Sequence, residues 1–72
     1  MSGLAVRNQI REFRQRRGDM TQLALAQVCG VTRQTIIALA AEKYSPSLEL
    51  AFKLARALER NLEEVFQYAE KK

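Results

Sequence analysis

Arg33 and Gln34 stand side by side two residues after Gly30-Val31. Arginine carries a planar fork of donors that pairs bidentately with guanine, and glutamine an amide that pairs bidentately with adenine. Both read shape and hydrogen-bond pattern; neither makes or breaks bonds. The chain has no histidine, no nucleophile beside a base, no glycine-rich phosphate loop and no set of metal ligands. An enzyme is therefore the poorest reading, and no metal or cofactor is expected. A single cysteine excludes an internal disulfide, and Cys29 reads as a small core residue.

Arg33 and Gln34 lie within Gln22–Ala41, QLALAQVCGVTRQTIIALAA. Leu25 and Cys29 are spaced i,i+4, and Ile36 and Leu39 i,i+3, so each half has one buried helical stripe. Ala26 is small where a second helix must cross. Gly30 admits the left-handed backbone that ends a helix, and Thr32 can cap the next one. Two helices joined by a tight glycine-containing turn form a helix-turn-helix, whose second helix would be the DNA-reading one.

Net charge supports this. Arg7 to Lys43 holds Arg7, Arg11, Arg14, Arg16, Arg17, Arg33 and Lys43 against Glu12, Asp19 and Glu42, whereas Tyr44 to Lys72 is balanced. The whole excess of +4 lies in the part containing Arg33. Such a patch draws in phosphate and releases counterions.

Seventy-two residues read as one domain, 1–72, near the lower size limit for a core without staples. Residues 1–4 and 69–72 are expected to fray. The first helix is expected over Val6–Arg17, with Val6, Ile10 and Phe13 inward and Arg7, Asn8, Arg11, Gln15 and Arg16 outside. Gly18-Asp19 ends it, and Met20 returns to the core. Thr21 caps the second helix, on which Leu23 and Val28 lie off the core stripe. In the third helix, Arg33–Ala41, Ile36, Leu39 and Ala40 face inward, while Gln34, Ile37, Ala38 and Ala41 point away. Ser47 caps a fourth helix, Leu48–Leu58, with Leu48 or Leu50, Phe52, Leu54 or Ala55, and Leu58 inside. Asn61 opens a last helix with the Asn61–Glu64 spacing of a capping box. No segment alternates with strand periodicity, so the expected fold is all-α with five helices. Leu4-Ala5-Val6 is too short for a signal-peptide core, no apolar run could span a membrane, and the chain reads as cytoplasmic.

The residues Met20-Thr21-Gln22, Leu25-Ala26, Gly30-Val31, Thr32-Arg33-Gln34-Thr35-Ile36 and Lys43-Tyr44-Ser45-Pro46-Ser47-Leu48 form an ordered set. With it the chain resembles the small phage-repressor-type, Xre-like helix-turn-helix regulators from about Ile10 to Tyr68. The resemblance implies a lambda-repressor-like domain whose base-reading positions fall on Arg33, Gln34, Thr35, Ile37 and Ala38. It implies phosphate contacts from Thr21, Gln22, Thr32, Lys43 and Tyr44, although Tyr44 serves equally as a lid over its loop. Arg11, Arg14 and Arg17 are weaker candidates, because the first helix usually crosses behind the reading helix. The family commonly has glutamate where Ala40 stands, paired with an arginine of the first helix, here Arg14. Alanine leaves that guanidinium to swing into solvent or to stay buried at about 1–3 kcal/mol. The glycine often found at the end of the third helix is also missing from Ala40-Ala41-Glu42.

The function this implies is a sequence-specific, double-stranded-DNA-binding transcriptional regulator, acting as a homodimer on a palindromic operator. Leu62, Phe66, Tyr68 and Ala69 are candidates for the dimer contact. No small-molecule ligand and no membrane partner are expected. The alternative is an antitoxin-like or other protein-interaction module, resting on Leu23, Val28 and Ile37 as exposed apolar residues.

Overall fold

A computed structural model describes residues 4–18, 20–43 and 45–70, with the backbone alone for Leu4, Ala5, Ala69 and Glu70. In chain order the elements are β1 (Leu4–Asn8), α1 (Ile10–Arg16), α2 (Gln22–Cys29), α3 (Arg33–Ala40), α4 (Leu48–Ala57), α5 (Leu62–Val65) and β2 (Phe66–Glu70). Three helix starts follow from their caps: the hydroxyls of Thr21, Thr32 and Ser47 accept from the N–H groups of Ala24, Thr35 and Leu50. Each satisfies a donor that the first helical turn leaves unpaired. At α5 the Glu64 carboxylate accepts the Asn61 N–H at 2.9 Å. The core joins Ile10 and Phe13 of α1, Leu25, Ala26 and Cys29 of α2, and Ile36 and Leu39 of α3. Leu54 and Ala55 of α4, then Leu58 and Val65, complete it. Burial pushes the Cys29 thiol above its ordinary pKa, as suits a packing residue.

The all-α expectation fails at both ends of the chain. β1 and β2 pair antiparallel, with Val6 opposite Tyr68 and Asn8 opposite Phe66. The ribbon is continued by Gln9 N–H donating to Val65 O at 2.9 Å. Leu4, Ala69 and Glu70, expected to fray, therefore lie in strands; residues 1–3, 71 and 72 fall outside the described residues. The first helix accordingly starts at Ile10 and not at Val6. Asn8 turns the chain there, its Oδ1 accepting from the Ile10 N–H at 3.2 Å, a local bond that competes with helix.

On α4 the buried stripe is Ala51, Leu54, Ala55 and, just beyond it, Leu58, so Phe52, expected inside, is 48% exposed. It stands one residue, about 100° of helix, off the i, i+3, i+4, i+7 set. Leu23 and Val28 of α2 are exposed, as their positions off the core stripe require.

The ribbon grips the end of α3. Asn8 Nδ2 donates to Leu39 O at 2.7 Å, a second donor to a carbonyl that also accepts the Glu42 N–H at 2.9 Å. The Glu42 carboxylate accepts the Asn8 N–H at 3.0 Å and lies 3.3 Å from Arg7 Nε. Asn8, placed outside by helical periodicity, is thus half-buried and fastens β1 to α3.

Three helices end alike, with an N–H returning 3.0 Å to the carbonyl five residues back: Val31 to Ala26, Lys43 to Ala38, and Arg60 to Ala55. The preceding residue takes positive φ each time, at Gly30 (73°), Glu42 (61°) and Glu59 (57°). Glu42 and not a glycine thus ends α3. Left-handed backbone costs a residue bearing Cβ about 1–2 kcal/mol. Both glutamates reach a basic partner, Glu42 to Arg7 and Glu59 to Arg17 at 2.9 Å. The Arg17–Glu59 pair is exposed and contributes little against that strain.

Glu59→Gly should therefore raise unfolding stability by about 0.5–1 kcal/mol in urea titrations. Glu42→Gly should gain nothing, because the latch to Asn8 and Arg7 is lost with the strain. Asn8→Asp should lower stability at pH 7 by about 1–3 kcal/mol, since the introduced carboxylate cannot donate to Leu39 O and faces Glu42. Its folded-state pKa is raised, so the deficit against the parent chain should shrink as pH falls and the protonated carboxyl regains a donor. A deficit independent of pH would contradict the latch.

Candidate nucleic-acid interface

The chain bends by 110° between α2 and α3, within the range of helix-turn-helix motifs. Leu25, Ala26 and Cys29 close against Ile36 and Leu39, which fixes one helix on the other and turns the start of α3 outward. Arg33 and Gln34, at that start, are exposed. Thr35, Ile37 and Ala38 are half-buried along the same helix. The Thr35 hydroxyl lies 3.0 Å from that of Thr32, so these two side chains brace the cap.

Thr21, Gln22, Arg33 and Ile37 come together around an open groove of about 720 Å³ between α1, α2 and α3. Thr32 and Lys43 lie outside its wall, at the two ends of α3, and both are exposed. The Lys43 N–H is fixed on Ala38 O, which sets where its side chain starts. Tyr44, expected to hold phosphate or to cover the loop, lies outside the described residues.

The resemblance alone ranks the arginines of α1 below Arg33 of α3. Arg11 and Arg14 reach the same groove as Gln22 and Arg33 and do not lie behind them. Arg14 does not swing into solvent: it is half-buried, and its Nη1 donates to Met20 O at 2.8 Å. Ala40 lines the same groove. The signal was available in sequence, as Arg11 and Arg14 are three apart and share a helix face.

The basic excess divides by partner. Arg7 pairs with Glu42 and Arg17 with Glu59, while Arg16 and Arg60 lie over the Phe13 ring, at 5.6 and 4.9 Å from its centre. Among the described residues, Arg11, Arg14, Arg33 and Lys43 form no ion pair. Arg16 and Arg56 form none either, so the groove and the end of α3 hold part of the unneutralised positive charge and not all of it.

Of the residues expected at a dimer contact, Leu62 and Phe66 are half-buried against the core, and Tyr68 on β2 is 68% exposed; the Ala69 side chain lies outside the description. Leu48 and Phe52 add exposed apolar surface one turn apart on α4. No single helix among the described residues is long and apolar enough to cross a membrane.

A family model described as helix-turn-helix matches residues 10–65. The chain is 55% identical over 62 residues to a Methanothermobacter thermautotrophicus protein described as an HTH-type transcriptional regulator, covering 85% of this chain and 88% of that one. It is 49% identical over 61 residues to an Archaeoglobus fulgidus protein of the same description, covering 85% and 86%. The Bacillus subtilis HTH-type transcriptional regulator YgzD is 41% identical over 61 residues, covering 85% and 91%. With the bend, the two capped helices and these relatives in agreement, the chain belongs to the Xre-like helix-turn-helix family of transcriptional regulators.

Proposed function

We propose that the protein is a sequence-specific double-stranded-DNA-binding regulator without catalytic activity, which reads the major groove with α3. The observation that carries this is the exposed Arg33-Gln34 pair at the capped start of a helix held at 110° to its predecessor. Those two side chains address guanine and adenine edges, and Ile37 and Ala38 can pack against thymine methyl groups. Thr35 sits behind them. Thr21 and Gln22 on one side, and Thr32 and Lys43 on the other, take the phosphate backbone and fix register. The regulator works in the cytoplasm as a homodimer on a roughly palindromic operator. Its half-sites lie about 34 Å apart, one helical turn, so that both copies of α3 meet the same face of the duplex. Leu48, Phe52 and Tyr68 supply exposed apolar surface for the subunit contact.

A second reading, an antitoxin-like protein-interaction module, draws support from the exposure of Leu23 and Val28, at 50% and 66%. It requires a strong protein partner and no preferred DNA sequence.

Selection of random duplexes by the purified protein separates the two. The expected result is a palindromic motif bound with a steep salt dependence. Arg33→Ala should relax one base position in each half-site at about 1–3 kcal/mol, while Lys43→Ala should weaken all sequences alike and lower the salt slope by about one. Weak, motif-free binding would overturn the operator reading in favour of the protein-interaction module.

A further inference from the structure

We infer that Arg7 is a positioning residue for DNA binding: it captures the Glu42 carboxylate and keeps that acid off the neighbouring phosphate contact, Lys43. The part Lys43 plays on the phosphate backbone rests on the proposed function above, whereas the capture belongs to the free chain. Glu42 Oε1 lies 3.3 Å from Arg7 Nε, and Oε2 accepts the Asn8 N–H at 3.0 Å. Both oxygens are thus held by β1, an element that carries none of the proposed DNA contacts. Lys43, the next residue along the chain, is exposed and forms no ion pair among the described residues.

The backbone at Glu42 has φ 61°, a conformation that glycine takes without strain, as Gly30 does at the end of α2. The Glu42 side chain is therefore carried against a conformational cost. Its charge is a second cost at a DNA-binding surface, since an acid beside Lys43 opposes the attraction on which a phosphate contact depends. Arg7 answers that charge at short range. Its own place is fixed by the pairing of β1 with β2, where it stands opposite Gln67. The ion pair is open to solvent, with the arginine side chain 56% exposed, so it adds little to stability. Its consequence is for where charge lies at the end of α3. Without Arg7 the carboxylate keeps the Asn8 N–H as a partner, and its other oxygen is released toward Lys43, one residue away.

A charge-balanced pair of substitutions in the full chain tests this, with duplex binding titrated at several salt concentrations. Arg7→Gln should weaken binding to every sequence alike, by about three- to tenfold near about 0.1 M salt. The salt slope should fall by about one, as it does when Lys43 is removed, because the freed carboxylate occupies that lysine. Adding Glu42→Gln, whose amide oxygen can still accept from Asn8, removes the freed charge. The double variant should return to within about twofold of the parent affinity. A direct contact of Arg7 with DNA, or a ribbon that loosens without it, would leave the double variant as weak as Arg7→Gln. That result, or binding by Arg7→Gln within about twofold of the parent, would overturn the role.

A second readout needs no DNA. In the free chain the Lys43 Cε–Hε resonances should move in Arg7→Gln and return in the double variant. If they do so while no duplex is bound, the capture serves no DNA contact, and the positioning role falls together with the DNA reading. If they stay fixed while duplexes are bound, the DNA reading stands and the capture alone is overturned.

Discussion

The structure hinges on the packing of α2 against α3 across the turn Cys29–Thr32. Leu25, Ile36 and Leu39 are fully buried, and Cys29 nearly so. Large aliphatic side chains of this kind contribute about 1.5–3 kcal/mol each on burial, so the angle between the helices is set by the core and not by the loop. The loop must only permit it. Gly30 does so through its positive φ, for a Cβ there would meet nothing within 4 Å. Thr32 then restarts the helix at once, which leaves Arg33 and Gln34 no room to be anywhere but at its exposed beginning.

The far end of α3 is held by a different part of the chain. Asn8 and Arg7, on a strand paired with the last described residues, take the Leu39 carbonyl and the Glu42 carboxylate. β1, paired with β2, is thereby fastened to the end of the helix whose beginning carries the exposed polar pair. A helix of eight residues has little stability of its own, and its direction depends on such external contacts. The ribbon is thus part of what aims α3, although none of its side chains lines the groove among the described residues.

Local chemistry made much of this legible. The caps Thr21, Thr32 and Ser47, the stripes Leu25–Cys29 and Ile36–Leu39, and the turn at Gly30 all act over a few residues, and sequence spacing reports such interactions directly. The ribbon was hidden because its partners lie at opposite ends of the chain, and five residues hold too little alternation to stand out. Phe66-Gln67-Tyr68 did carry an aromatic strand signal, which the capping box before it masked. Arg14 shows the same limit at the site. Its place on a helix face was readable, but its bond to Met20 O, and with it the choice between burial and solvent, depends on how α1 lies on the next segment. Asn8 reads as surface only on a helix that starts at Val6; as the last residue of β1 it turns inward to α3 instead.

On the proposed function, the outer face of α3, with the start of α2, meets DNA. Amide chemical shifts of the labelled protein with and without its selected duplex test this most directly. The changes should centre on Thr21–Leu23 and Thr32–Ala38 and extend to Lys43, with α4 around Leu54 unaffected. Changes centred on the ribbon or on α4, with α3 silent, would contradict the account.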